Sequence, residues 1–252
     1  MTIEELLDQA ENYRLDGEYE KAQEKYERLM KNESKENINY IHSLRGLAEV
    51  HRMKENYSEA KKCYILAIDL YQSVNNIKGL GYTYLGYGQL IRHNNDYYEA
   101  NNSIQKAIDC FKQIDDQYGL ADSYVELGHI LFSESKLKES EETFKRAFRV
   151  YDSIKDIWGA ASSMFGLGKV KNKMQNFDGA KESLLEARQL FESINDKLGL
   201  ANTNKEIGDI YLKIKDKPRA KSYYFDAKNL YDEMHETNQS KKCVEVLIDL
   251  ED

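Results

Sequence analysis

Five histidines, three cysteines and a recurring arginine are the side chains here with chemistry to offer. The histidines are His42, His51, His93, His129 and His235; the cysteines are Cys63, Cys110 and Cys243. A structural or catalytic zinc needs three or four such ligands. His93 and His129 have the spacing to approach one another, but no third ligand accompanies them, so no metal is expected. Serine and histidine occur without a nucleophile motif. Gly79-Leu80-Gly81 and Gly86-x-Gly88 share only glycine content with phosphate-binding loops, because no strand precedes them. No enzyme activity and no cofactor is expected. What remains is recognition. Arg14, Arg52 and Arg92 lie 38 and 40 residues apart, and Lys169, Lys173, Lys205 and Lys213 form a second basic set. Cations held at a fixed spacing suit the carboxylates of a partner. Their other role is to pair with Glu11, Glu49 and further acids of the same chain.

Such groups must be positioned by a repeat. Gly159 and Gly199 lie 40 residues apart, as do Gly168 and Gly208, Ala180 and Ala220, Ala187 and Ala227, and Phe191 and Tyr231. Earlier steps give Gly119, Gly128, Ser140, Ala147 and Tyr151, then Gly79, Gly88, Ala100, Ala107 and Phe111. A fixed period of this length means stacked supersecondary units. Within each unit the apolar residues recur at helical spacing, first around Leu44, Leu47 and Ala48, then around Ala60, Tyr64, Ala67 and Tyr71. The expectation is thirteen helices: six pairs at about 3–38, 41–78, 79–118, 119–158, 159–198 and 199–238, then a capping helix over 240–250. The whole chain, 1–252, reads as a single solenoid. Asn56, Asp96, Asn176 and Asp216 stand where second helices should be N-capped. Lys136 is a poor capper and Ser140 replaces the small alanine, so the fourth turn is expected to be less stable. Pro218 falls in the first turn of a helix, where it is tolerated. Val244, Leu247 and Ile248 are expected to cover the last open face. Gly88, Gly128, Gly168 and Gly208 are mid-helix, where glycine costs about 1 kcal/mol. Close approach of the second helix through Ala100, Ser140, Ala180 and Ala220 would repay it.

Composition narrows the partners. The net charge of −8 argues against nucleic acid, and no apolar run is long enough to span a membrane. Three scattered cysteines imply no disulfide framework and a reducing compartment. The start, Met1 to Ala10, lacks a signal-peptide pattern. A cytoplasmic protein is expected.

Gly166-Leu167-Gly168 followed by Phe177, Ala180, Leu184 and Ala187 resembles the tetratricopeptide repeat, and Leu127-Gly128 and Ile207-Gly208 repeat the match. The period of 40 and the missing closing proline resemble the family's longer-repeat subgroup. Asp116-x-x-Gly119-x-Ala121 and Asp196-x-x-Gly199-x-Ala201 carry that likeness. The resemblance implies an all-α solenoid of antiparallel helix pairs winding into a right-handed superhelix of less than one turn, with a longer second helix in each pair. It also implies that the first helices line a concave groove. The groove residues by that mapping are Arg45, Arg52, Tyr82, Leu85, Gln89, Arg92, Val125, His129, Phe132, Phe165 and Lys169. The lysine–asparagine clamp that holds chaperone tails is absent at Leu7, Glu11 and Gly46.

The implied function is a scaffold or adaptor that binds a protein or peptide, acidic or amphipathic, in the groove. The alternative is a self-assembling repeat protein whose ends or tyrosine-rich outer faces form a homo-oligomer.

Overall fold

A three-residue connector sets nearly every helix boundary in the chain. The computed structural model describes residues 2–250. Its helices are α1 (Ile3–Leu15), α2 (Tyr19–Asn32), α3 (Ile38–Met53), α4 (Tyr57–Ser73), α5 (Ile77–His93), α6 (Tyr97–Gln113) and α7 (Gln117–Ser133). They continue as α8 (Leu137–Ser153), α9 (Ile157–Lys173), α10 (Phe177–Ser193), α11 (Lys197–Lys213), α12 (Lys217–Glu233) and α13 (Thr237–Asp249). There is no strand among the described residues. The fold is all-α, a succession of antiparallel helix pairs of the solenoid class.

The middle residue of each three-residue connector is left-handed. Glu55, Asn75, Asn95, Asp115, Ser135, Lys155, Gln175, Asn195, Lys215 and His235 have φ of 52–62°, one every 20 residues. Gly17 does the same at φ 77° after α1. The hydrogen bonds explain why the angle is kept. After α3, the amide of Asn56 donates to the carbonyl of His51 at 2.8 Å, and that of Glu55 to Arg52 at 3.1 Å. After α9, Asn176 donates to Lys171 at 2.9 Å and Gln175 to Asn172 at 3.0 Å. Two crossed bonds of this kind close the helix end and satisfy carbonyls that would otherwise be orphaned.

The residue after the left-handed one opens the next helix. Asn76, Asp96, Asp156, Asn176, Asp196 and Asp216 each accept the amide three residues on. Asp116 does so from Gly119. Lys136 makes no such bond, as expected, and neither does Asn56, which takes the cap position without using its side chain. Pro218 is in the first turn of α12.

From α4 to α12 every helix has 17 residues. The expectation of a longer second helix is therefore corrected: the 40-residue period is divided equally between the two.

The chain divides into two compact units, Met1–Glu126 and Leu127–Asp252. In the first, α1 to α6 each pack on the next, and α3 also touches α1 and α5. In the second, α8 to α13 do likewise, and α9 touches α11. The core of each unit is built of rings and small residues. Tyr26, Tyr64, Tyr71 and Phe111 are buried with Ala22, Ala60 and Ala100 in the first, and Phe144, Tyr224 and Tyr231 with Ala180 and Ala220 in the second.

The glycines show how rings and helices fit. A Cβ at Gly168 would lie 2.5 Å from Leu184 Cγ, and one at Gly128 would lie 2.9 Å from the Phe144 ring. The space is thus filled chiefly by the side chain four residues beyond the small position. The backbone of the small residue comes close as well, with the Ala180 carbonyl at 3.3 Å. Ser140 is no weak substitute for alanine. It is fully buried and its hydroxyl donates to the carbonyl of Gly128 at 2.8 Å.

The helix α13 packs on α12, but with a different face from the one expected. Ser240 and Cys243 are buried, Val246 and Leu247 pack on Tyr224, Ala227 and Tyr231, and Leu250 reaches the cluster around Ile210 and Tyr211. Ile248 is exposed. The helix starts at Thr237, and residues 240, 243, 247 and 250 share one stripe; position 248 is turned about 100° from 247.

A candidate peptide-binding face

Two repeat positions recur along the first helices of each unit, each giving a column of residues in the sequence. The first column is Glu11, Glu49, Gln89, His129, Lys169 and Asp209; the second is Arg14, Arg52, Arg92, Phe132, Asn172 and Leu212. What each residue does depends on the second helix behind it.

In the first unit the Tyr26 hydroxyl donates to Glu11 at 2.7 Å, and Glu11 also pairs with Arg14. Burial raises the Glu11 carboxyl, but its bonds to Arg14 and Tyr26 outweigh this and hold it below the ordinary range. Arg52 pairs with Glu49 at 2.7 Å, beside the buried ring of Tyr64. One step on, the first column is Gln89, so Arg92 has no acid one turn back. It pairs with Glu126 of α7 instead, which is 5% exposed. The expected arginine ladder therefore exists as a set of ion pairs, each cation answered by its own chain. Tyr82 is half-buried, packs edge-on to Phe111 with ring centroids 4.7 Å apart, and donates to Asp116 at 3.2 Å. Gln89 and Val125 are half-buried, whereas Leu85 is 6% exposed and belongs to the core.

Arg45 differs from the other arginines. It is half-buried and has no ion-pair partner among the described residues. Burial works against its charge, but Tyr71, Glu49 and Glu11 hold its pKa above the ordinary value. It lines a cleft of about 540 Å³ within the first unit, together with Arg14, His42, Tyr71, Lys78 and Tyr82.

In the second unit the pattern changes sign. His129 stands edge-on to Phe144, with centroids 5.1 Å apart. Lys169 lies over two rings, Phe132 at 5.9 Å and Phe165 at 5.6 Å. Lys173 also lies over Phe132, at 4.6 Å, and its ammonium donates to the Phe132 carbonyl at 3.4 Å. Neither ammonium has a carboxylate partner among the described residues. Phe132 and Phe165 are half-buried. Beyond them, Asn172 donates to Glu206 at 2.9 Å and accepts from Lys213 at 2.8 Å, while Lys205 pairs with Asp209 at 2.9 Å. Of the expected second basic set, only Lys169 and Lys173 remain free of an acid or its amide.

The residues not anticipated are the acids Glu126 and Glu206. Both occupy a repeat position that is glycine at 46, 86 and 166. A side chain is excluded there by the rings of Tyr26, Tyr64 and Phe144. At the two glutamate steps the equivalent core residues are Ile104 and Leu184, which are not aromatic. The exchange was readable in the sequence.

No metal-binding cluster of three His, Cys, Asp or Glu exists among the described residues. No described helix is long and apolar enough to cross a membrane.

The family model for soluble NSF attachment proteins (SNAP) matches residues 43–199. The chain belongs to that family. No curated protein matches the sequence. Solved structures similar to this SNAP-family chain are repeat proteins at low identity. A Rap protein complexed with competence and sporulation factor is 14% identical with a TM-score of 0.72, over 98% of this chain and 73% of that one. BtubC from P. vanneervenii is 16% identical with a TM-score of 0.72, over 93% of each chain. A signal-transduction ATPase with a tetratricopeptide repeat sensor, from Pyrococcus horikoshii, is 14% identical with a TM-score of 0.76, over 96% of this chain and 41% of that one. The tetratricopeptide-like architecture of the SNAP-family chain is thus established by family and by fold.

Proposed function

We propose that the chain is a protein-binding scaffold or adaptor, without catalytic activity, whose first-helix face takes an acidic or amphipathic peptide from a partner. The observation that carries this reading is the pair Lys169 and Lys173 over the ring of Phe132. Two ammonium groups without acids, seated on half-buried aromatic carbon, form an anchor for an apolar side chain flanked by carboxylates. The residues we assign to the face are Arg45, Arg52, Tyr82, Gln89, Arg92 and Val125 in the first unit, and His129, Phe132, Phe165 and Lys169 in the second. Leu85 supports them from the core. The Rap neighbour, whose structure holds a signalling factor, is consistent with this use of the fold. We place the protein in the cytoplasm, since its three cysteines are unpaired.

The test is fluorescence anisotropy with a labelled amphipathic helix bearing leucine and glutamate, against a leucine–lysine control of equal length. Phe132→Ala should weaken capture of the acidic helix at any salt. Lys169→Glu with Lys173→Glu should weaken it most at low salt, where charges are least screened. Equal binding of both helices, or unchanged binding by both variants, would remove this face from consideration.

Self-assembly is the second reading. Tyr98 is 79% exposed and Phe225 more than half exposed, both on second helices rather than on the first helices that carry the residues above. Light scattering on the parent and on Tyr98→Ser with Phe225→Ser distinguishes the two: a dimer that becomes a monomer supports assembly.

A further inference from the structure

Arg45 is a cation that forms no ion pair among the described residues of its unit. The nearby acids are committed elsewhere. Glu11 is held by Arg14 and Tyr26, Glu49 by Arg52, and Asp116 by the Tyr82 hydroxyl, with Lys78 at 3.8 Å. The hydroxyl of Tyr71, beside Arg45, is buried without a hydrogen-bond partner. A buried hydroxyl in that state is a donor that folding has stripped of water and not repaid. The imidazole of His42 lies 5.8 Å from the Tyr71 ring; burial, and then Arg45, push its pKa down, so it offers a neutral N–H. Arg45, Tyr71 and His42 line one cleft of about 540 Å³, whose permanent charges are Arg14, Arg45 and Lys78 against the single carboxylate of Glu11. The volume is within the range of ordinary ligand pockets. A planar guanidinium donates two parallel bonds, which matches the two oxygens of a carboxylate.

We propose that this cleft is a carboxylate-binding subsite, in which Arg45 grips a carboxylate of a bound peptide and Tyr71 donates to the same group. The proposal rests on the first-helix face being the peptide surface, and adds the chemistry of one position on it. The carboxylate comes either from an acidic side chain or from a chain end, and the cleft chemistry is the same for both.

The experiment is an amide NMR titration of the full chain with three tripeptides. Acetyl-Ala-Glu-Ala-amide carries a side-chain carboxylate, acetyl-Ala-Ala-Ala carries a terminal one, and acetyl-Ala-Gln-Ala-amide carries none. At least one of the first two should shift the amides of His42, Gly79 and Tyr82, and the glutamine peptide should not. Which of the two binds more tightly identifies the source. Arg45→Gln should abolish the shifts, and Arg45→Lys should keep them with affinity lowered about fivefold or more, because an ammonium cannot donate as a fork. If Arg45→Gln does not fold by circular dichroism, Tyr71→Phe is read instead, and should weaken binding severalfold. The proposal is overturned if neither carboxylate peptide exceeds the glutamine peptide, or if Arg45→Gln (Tyr71→Phe where that is read) binds as the parent does. These titrations read only the first unit. A failure at Phe132 and Lys169 in the anisotropy test would leave them unchanged, so the two readings fail separately.

Discussion

Replacing Arg92 with glutamine should cost far more stability than the same change at Arg14. Arg92 is 25% exposed at its side chain and its partner Glu126 only 7%, whereas Glu11, the partner of Arg14, is 43% exposed. Removing one member of a fully buried pair strands a charge and costs about 3–5 kcal/mol. Water can reach the Arg92 side in part, so the loss should be roughly 2–3 kcal/mol by that scale. In a chain of this length that corresponds to a fall in Tm of roughly 5–10 °C. The Arg14 pair is closer to a surface ion pair, worth about 0–1 kcal/mol. Urea unfolding of Arg92→Gln, Glu126→Gln and the double variant gives the answer. The double variant should recover at least half the loss, because no charge is left buried. Equal stability of Arg92→Gln and the parent, or a double variant no better than the single, would refute the claim that the ladder is ion-paired at its inner step. The same reasoning forbids Arg52→Glu with Arg92→Glu as a harmless probe of binding, since it would place like charges together at Glu49 and Glu126.

Other outcomes follow from the packing. Gly168→Leu should lower stability by about 1–3 kcal/mol through overpacking against Leu184, measured as a shift in the urea midpoint. Deleting residues 237–252 should expose Tyr224, Ala227 and Tyr231 and lower Tm or bring on aggregation; a truncated chain as stable as the parent would end the view of α13 as a cap. Burial holds His42, His51 and His93 below the ordinary pKa of 6.5, so the unfolded chain takes up protons that the fold refuses. Stability should therefore fall as pH drops from about 6.5, and His42→Asn should flatten that fall in urea melts compared at pH about 7.5 and about 5.5. Burial also pushes the Cys63 thiol up to about 11, so iodoacetamide at pH about 8 should label it slowly until the chain is unfolded.

Much of the fold could be read because glycine, alanine and ring positions recur in phase, and helix number and type follow from that alone. The connectors were harder. Only Gly17 announces a left-handed turn; the ten later ones are occupied by Glu, Asn, Asp, Ser, Lys, Gln and His, which carry no shared signal. The capping face was misplaced because Ile248 is apolar, and hydrophobicity does not fix the phase of a short helix. At the candidate site, Phe132, Phe165 and Lys169 were identifiable by position. The pairing of Arg92 was not, because its acid lies 34 residues away on another helix rather than one turn back. Leu85 was assigned to the face by register, yet its burial depends on how deeply the neighbouring helices seat, which no single sequence position encodes.

The evenness of the connectors bears on how such a chain can lengthen or shorten. Lys155 and Asn195 share the left-handed backbone region, with φ of 61° and 54°, and each is followed by an aspartate that opens the next helix. A recombination event that excised residues 156–195 would join Lys155 to Asp196 and recreate an ordinary connector. The joint would need no new turn, no new cap and no new hydrogen bond. Each left-handed residue is in this sense a splice point, and gain or loss of a 40-residue cassette is a change to which the backbone is indifferent; only the side chains on either side of the seam would need to adapt.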